Sequence, residues 1–227
     1  MSCRETKVVL FDFGGTLDSD GIPWKQRFYP IYQAEGIEWD FDTFEVFFQA
    51  SDNSLNEQTL GDVDYRATLL EQVARVLRAG DRSDDVLAHR IAERFHQESL
   101  SCLTRNQGVL QELSTRYRLG IVSNFYGNLE FLCREIGYAE LFDTVIDSAR
   151  IGIAKPNAAI FEAALQRLDC SPTQAVFIGD NPLRDMAPAK ALRMPHIWLN
   201  TLHTERRACC DDDVTIKSIT ELRRILL

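Results

Sequence analysis

The segment Lys7–Asp18 reads KVVLFDFGGTLD, and the change at its middle decides the fold class. After Lys7 the chain is continuously apolar to Phe11, with two adjacent valines, and Gly14 and Gly15 then break the run. An unbroken apolar run that ends in a glycine loop is the pattern of a parallel strand buried on both faces. Three later segments repeat it: Leu119 to Val122 (LGIV), Ala175 to Ile178 (AVFI) and His196 to Leu199 (HIWL), with a weaker one at Thr144 to Ile146. Between them, Gln107 to Tyr117, Asn128 to Ile136, Asn157 to Leu168 and Leu183 to Leu192 place apolar residues at helical spacing. Strand–helix alternation predicts an α/β fold, a Rossmann-like, mostly parallel sheet with helices on both faces. Ligands of such sheets sit outside the carboxyl ends of the strands. Asp12, Ser123 and Asp180 each stand just past an apolar run.

From Ser19 to about Thr104 no strand-like run occurs. Trp24, Phe28, Ile31 and Tyr32 keep helical spacing, as do Phe44, Phe47 and Phe48, and longer periodic segments follow at Val63–Leu77 and Asp85–Phe95. The expected organisation is a core of residues 1–18 and 105–227 with a helical insert at 19–104. The aromatics of the insert read mainly as packing, with Trp24 or Phe28 placed to wall a pocket near Asp12.

The formal net charge is −9, which excludes the basic face that nucleic-acid binding uses. An anion site in such a protein has to be made locally. The six cysteines, Cys3, Cys102, Cys133, Cys170, Cys209 and Cys210, show no metal-binding spacing and read as reduced thiols. His89, His96, His196 and His203 have no ligand spacing either. No apolar stretch predicts a leader or a membrane span, so the expected location is cytoplasmic, as a monomer or homodimer.

Four short constellations carry chemistry: FDFGGTLD with Asp12, IVSN with Ser123 and Asn124, GIAKPNAAIF with Lys155, and FIGDNPLRD with Asp180 and Asp185. A carboxylate such as Asp12 is a competent nucleophile toward phosphorus. Carboxylates at separate strand ends, Asp12 and Asp180, offer hard oxygens to Mg²⁺, and such an ion offsets repulsion between nucleophile and anionic substrate. Ser123 can donate to a phosphate oxygen and Lys155 can neutralise its charge. Asp185 could orient Lys155 or a metal-bound water.

Taken together and in this order, the motifs resemble those of the haloacid dehalogenase-like superfamily of aspartate-nucleophile hydrolases. The helical insert after the first motif is similar to the cap of the subclass that includes phosphoglycolate phosphatases, β-phosphoglucomutases and phosphonatases. The resemblance implies that Asp12 is the nucleophile and a metal ligand, and that the Gly14 carbonyl and Asp180 complete the Mg²⁺ ligands. It implies that Ser123, Asn124, Lys155 and Gly15 bind phosphate, with Asp185 and Thr16 in support, and that the substrate is a small phosphorylated molecule.

One position departs from the pattern. Family phosphatases carry a second aspartate two residues after the nucleophile, as general acid/base, and this chain has Gly14 there. Proton transfer by a placed side chain is worth about 10²–10⁴-fold. Three routes round the gap are open: a leaving group that departs without a proton, a proton from the substrate or from Asp18, Asp20 or the cap, or ligand binding without efficient turnover. Asp18 and Asp20 themselves read as solvated loop carboxylates. A phosphonatase would need a cap lysine, and Lys25 does not match it; a dehalogenase dispenses with the metal, whereas Asp180 and Asp185 keep an acidic site. Hydrolysis of a carbon–halogen or carbon–phosphorus bond, and a regulatory binding role, are the alternatives to a phosphatase.

Overall fold

The computed structural model describes residues 6–201 and 214–227. Cys3, His203, Cys209 and Cys210 lie outside them; the described cysteines, Cys102, Cys133 and Cys170, are free thiols.

Six strands form one sheet in the order β3-β2-β1-β4-β5-β6, every neighbouring pair parallel. They are β1 Val8–Phe11, β2 Arg118–Ser123, β3 Thr144–Asp147, β4 Ala175–Gly179, β5 His196–Leu199 and β6 Val214–Ile216. Successive side chains of a strand point to opposite faces. Val9, Phe11, Ile121 and Ile178 accordingly belong to one apolar cluster, and Val8, Leu10, Val122 and Phe177 to another. Helices cover both faces, which is why the central strands read as unbroken apolar runs. β6 was not anticipated: it has three residues at the sheet edge, of which Ile216 alone is buried.

The insert is helical, as its spacing predicted. It comprises α1 Trp24–Ala34, α2 Phe41–Gln58, α3 Tyr65–Ala79 and α4 Asp85–Ser114. Asp40, Asp64 and Asp84 start α2, α3 and α4 by accepting the main-chain N–H of Thr43, Ala67 and Leu87, the usual satisfaction of helix-end donors. Gln107 to Tyr117 is not a separate helix. It continues α4, because one buried stripe runs through Phe95, Ser99, Leu103, Asn106, Leu110 and Leu113 with no proline to interrupt it. The cap thus joins the core through an unbroken helix that passes residue 104.

The core helices are α5 Leu129–Glu135, α6 Ser148–Ile151, α7 Ala159–Arg167, α8 Ala187–Ala191 and α9 Arg223–Leu226. The expected helix from Leu183 is shorter than its spacing suggested. A wide turn, Pro182–Met186, precedes α8, and the Asn181 side chain holds it through the N–H groups of Leu183 and Arg184. Among the described residues, no helix is long and apolar enough to cross a membrane.

Candidate active site

The strand register builds the site. Phe11 pairs with Ile121 on one side and Ile178 on the other. The residues that follow therefore leave the sheet along one edge: Asp12 after β1, Ser123 at the end of β2 and Asp180 after β4. Three of the four sequence constellations meet there by topology alone, and the fourth arrives through Lys155. The Asn124 side chain grips the Lys155 main chain at both polar groups, donating to its carbonyl at 3.0 Å and accepting its N–H at 2.7 Å.

Asp12 is buried, and its Oδ1 accepts from Ser123 Oγ at 2.7 Å and from its neighbour's N–H, Phe13, at 2.8 Å. Lys155 Nζ lies 2.8 Å from the same oxygen and 2.7 Å from Asp185 Oδ1. Burial alone would lower the Lys155 ammonium, but Asp12 and Asp185 on either side outweigh it and hold the group above its ordinary value. Asp185 is fixed in turn by the Asn181 N–H at 2.9 Å. Lys155 is thus a fixed positive charge beside Asp12.

One carboxylate oxygen each from Asp12, Asp180 and Asp185 lies within 4.8 Å of the others. Burial, then Asp185 and Asp12, push Asp180 well above the usual carboxylate range. Burial raises any carboxyl, and the two neighbouring acids add to it here. Two glycines make room for these acids. A Cβ on Gly15 would come within 2.6 Å of Asp180 Oδ2, and one on Gly179 within 2.5 Å of Asp185 Oδ2. Gly15 also has φ +84, a conformation other residues resist. Crowded hard-oxygen donors with space cleared around them suit a divalent cation of the Mg²⁺ or Ca²⁺ type. Thr16 Oγ1 donates to Asp180 Oδ1 at 3.2 Å.

Several expected roles change. Gly15 was expected to bind phosphate, but its N–H donates to Asp18 Oδ1 at 2.7 Å and it does not line the cavity. The Asn124 amide holds the Lys155 main chain, and Asn124 lines the cavity beside Ser123. Asp18 was expected to be solvated and is instead fully buried. Its Oδ2 accepts from Trp24 Nε1 at 2.7 Å, Arg27 Nη1 at 3.0 Å, Tyr65 OH at 3.1 Å and Ser99 Oγ at 3.4 Å. Asp20, half-buried, pairs with Arg105 at 2.7 Å. Neither Asp18 nor Asp20 reaches the cavity.

That cavity, about 360 Å³, opens over Asp12 and Asp180 between core and cap. Trp24 walls it, while Phe28 is buried behind, stacked on Phe95 with ring centroids 3.8 Å apart. Phe48, Gln49 and Asp52 of α2 and Phe125, Tyr126 and Arg184 of the core also line it. These last residues were missed in the sequence. Tyr126 lies three positions past Ser123, but nothing at residues 48–52 distinguishes a pocket wall from helix surface until α2 is placed.

A family model of the haloacid dehalogenase-like hydrolases matches residues 6–193. The chain belongs to that family. Haloacid dehalogenase-like hydrolase domain-containing protein 3 of Homo sapiens is 37% identical over 201 residues, covering 84% of this chain and 80% of its own length. Glyceraldehyde 3-phosphate phosphatase of Methanothermobacter thermautotrophicus is 37% identical over 120 residues, so that match spans 50% of this chain and 53% of the relative. Among solved structures, a dehalogenase with an intermediate complex superposes with a TM-score of 0.68 at 16% identity, covering 98% of this chain and 97% of that one. At that identity the likeness concerns fold alone. The haloacid dehalogenase-like chain described here is a hydrolase with an α/β core and a cap made of α1–α4.

Proposed function

We propose that this chain is a Mg²⁺-dependent phosphohydrolase that transfers phosphoryl from a small metabolite to Asp12 and then to water. The observation that carries the reading is the convergence on Asp12. Ser123 Oγ at 2.7 Å, Lys155 Nζ at 2.8 Å and two further acids surround one carboxylate at the floor of a cavity. Asp12 is the nucleophile, since its carboxylate faces the cavity at a strand end. Ser123 and Lys155 hold the phosphoryl oxygens with a hydroxyl donor and a buried ammonium. Asp180 and Asp12, with the Gly14 carbonyl, hold Mg²⁺, which offsets repulsion between the carboxylates and an anionic substrate. Asp185 positions Lys155.

The phosphatase relative, which acts on a small phosphorylated sugar by its name, supports this substrate class. The acidic cluster speaks against hydrolysis of a carbon–halogen bond, which needs no metal. With Gly14 where an acid usually stands, a proton for the leaving group has to come from elsewhere in the cavity or not be needed.

The test is phosphate release from acetyl phosphate or p-nitrophenyl phosphate. Release that requires Mg²⁺ and disappears in Asp12→Asn is the expected result. Release that persists in the variant, or halide release from a haloacid without metal, would overturn the reading.

A further inference from the structure

We propose that Asp52, on cap helix α2, is the proton donor and acceptor of this site, in the role for which Gly14 has no carboxyl. The proposal rests on the phosphohydrolase reading above and adds a residue to it. Three carboxyl groups line the cavity: Asp12, Asp52 and Asp180. Asp12 is assigned to attack and Asp180 to the metal. Asp18 is buried among Trp24, Arg27, Tyr65 and Ser99, and Asp20 is paired with Arg105, so both acids near the first motif are engaged elsewhere. Asp52 is the carboxyl left over, and it enters the cavity from the cap.

Its own contacts suit the task. Tyr126 OH and Gln72 Nε2 both donate to Asp52 Oδ1, the latter at 3.1 Å. Oδ1 is thereby filled as an acceptor, and a proton on this carboxyl belongs on Oδ2, which has no hydrogen bond among the described residues. Tyr126 follows β2, so the same bond fixes the cap acid to the core that carries Asp12. Burial raises the Asp52 carboxyl above its ordinary value, while Tyr126, Arg184, Gln72 and Lys25 pull the other way. The net direction is upward, which favours the protonated form that a proton donor needs.

The steps balance. A carboxylate oxygen of Asp12 bonds to phosphorus as the bond from phosphorus to the leaving oxygen breaks, and that oxygen takes the Asp52 proton and departs as an alcohol. The ionised Asp52 then takes a proton from water as the water oxygen bonds to phosphorus and the phosphorus bond to Asp12 breaks. Phosphate leaves, with Asp12 ionised and Asp52 protonated again.

A protonated leaving group makes the rate insensitive to how good that group is. The experiment therefore measures kcat/KM for acetyl phosphate and a series of substituted phenyl phosphates, with Mg²⁺ in excess. The wild type should fall only shallowly as the leaving phenol becomes less acidic. In kcat/KM, which reports only the steps through departure of the leaving group, Asp52→Asn should lose about 10²–10⁴-fold on phenyl phosphate, lose less on acetyl phosphate, whose acetate departs without a proton, and show a steep dependence. Its kcat should fall on both, because the attacking water loses its base. Asp52→Glu, which keeps an acid, should recover part of the loss.

A steep dependence already present in the wild type would overturn the assignment without needing any variant. So would equal loss of kcat/KM on both substrates, or no loss on either, in Asp52→Asn. Failure of the underlying reading looks different: the wild type then releases no phosphate even from acetyl phosphate, or Asp12→Asn still does.

Discussion

Gly14 and Trp24 meet at the point where the usual acid is missing. A Cβ on Gly14 would lie 3.1 Å from Trp24 Nε1, and that nitrogen is held 2.7 Å from Asp18 Oδ2. Gly14 itself has φ −71, which any residue adopts. The obstacle to an aspartate here is therefore the indole and not the backbone. Gly14→Asp alone should bring little gain in monoester hydrolysis, because the new side chain has to displace a ring pinned by a buried carboxylate. In the Asp52→Asn background, where no other acid is left, Gly14→Asp with Trp24→Phe, which removes the indole nitrogen, should exceed both single variants by tenfold or more, within the about 10²–10⁴-fold that a placed acid supplies. Steady-state kinetics on phenyl phosphate decides it; a double variant no better than Gly14→Asp alone would show that space is not what limits the site. The missing acid was legible in the sequence from a single letter. What stands in its place was not, because Trp24 reaches Gly14 only once α1 folds back over the first motif.

At the level of elements, Asp18 ties together pieces remote in the chain. It binds the turn after β1 through the Gly15 N–H, α1 through Trp24 and Arg27, α3 through Tyr65 and α4 through Ser99. Arg27 continues the network to Ser99 Oγ at 2.8 Å and lies over the Phe95 ring, 4.0 Å from its centroid. Removing one member of a buried ion pair leaves the other charged and unpaired, which costs about 3–5 kcal/mol. Asp18→Ala should lose that much in urea unfolding, and adding Arg27→Met should recover part of it, since no buried charge then remains alone. A loss no larger for Asp18→Ala than for a surface substitution would remove the network from any account of cap attachment. Sequence reading took Asp18 for a loop residue because its partners stand at positions 24, 27, 65 and 99, and no local pattern relates them. The strands β1, β2 and β4 were legible for the opposite reason: burial on both faces writes itself into consecutive residues. The short edge strand β6 has too little burial to leave such a trace, and α4 gave no sign of crossing from cap to core because its apolar stripe continues without a break.

The molecule as a whole bears the cost of its acidic centre, and its global stability should report a bound cation. Asp180 has its proton affinity raised in the folded state, first by burial and then by Asp185 and Asp12. For a carboxyl raised in this way, the stabilising contribution is complete below the ordinary aspartate range and is lost as pH rises through the raised value. At neutral pH without metal, the site therefore works against folding. Asp180→Asn should make the metal-free protein more stable than the metal-free wild type, and the difference should shrink as pH falls. Mg²⁺ reverses the order. A ligand at 100 times its dissociation constant stabilises the folded state by about 2.7 kcal/mol. For a chain of this size that corresponds to a rise in Tm of about 5–10 °C. The wild type should show that rise in thermal denaturation with added Mg²⁺, and Asp180→Asn should show little of it. If the variant melted lower than the wild type without metal, the three carboxylates would be a satisfied structural cluster and the case for a cation among them would fail; the shared dependence on Asp180 joins the stability measurement to the same site at which Asp12 is proposed to react.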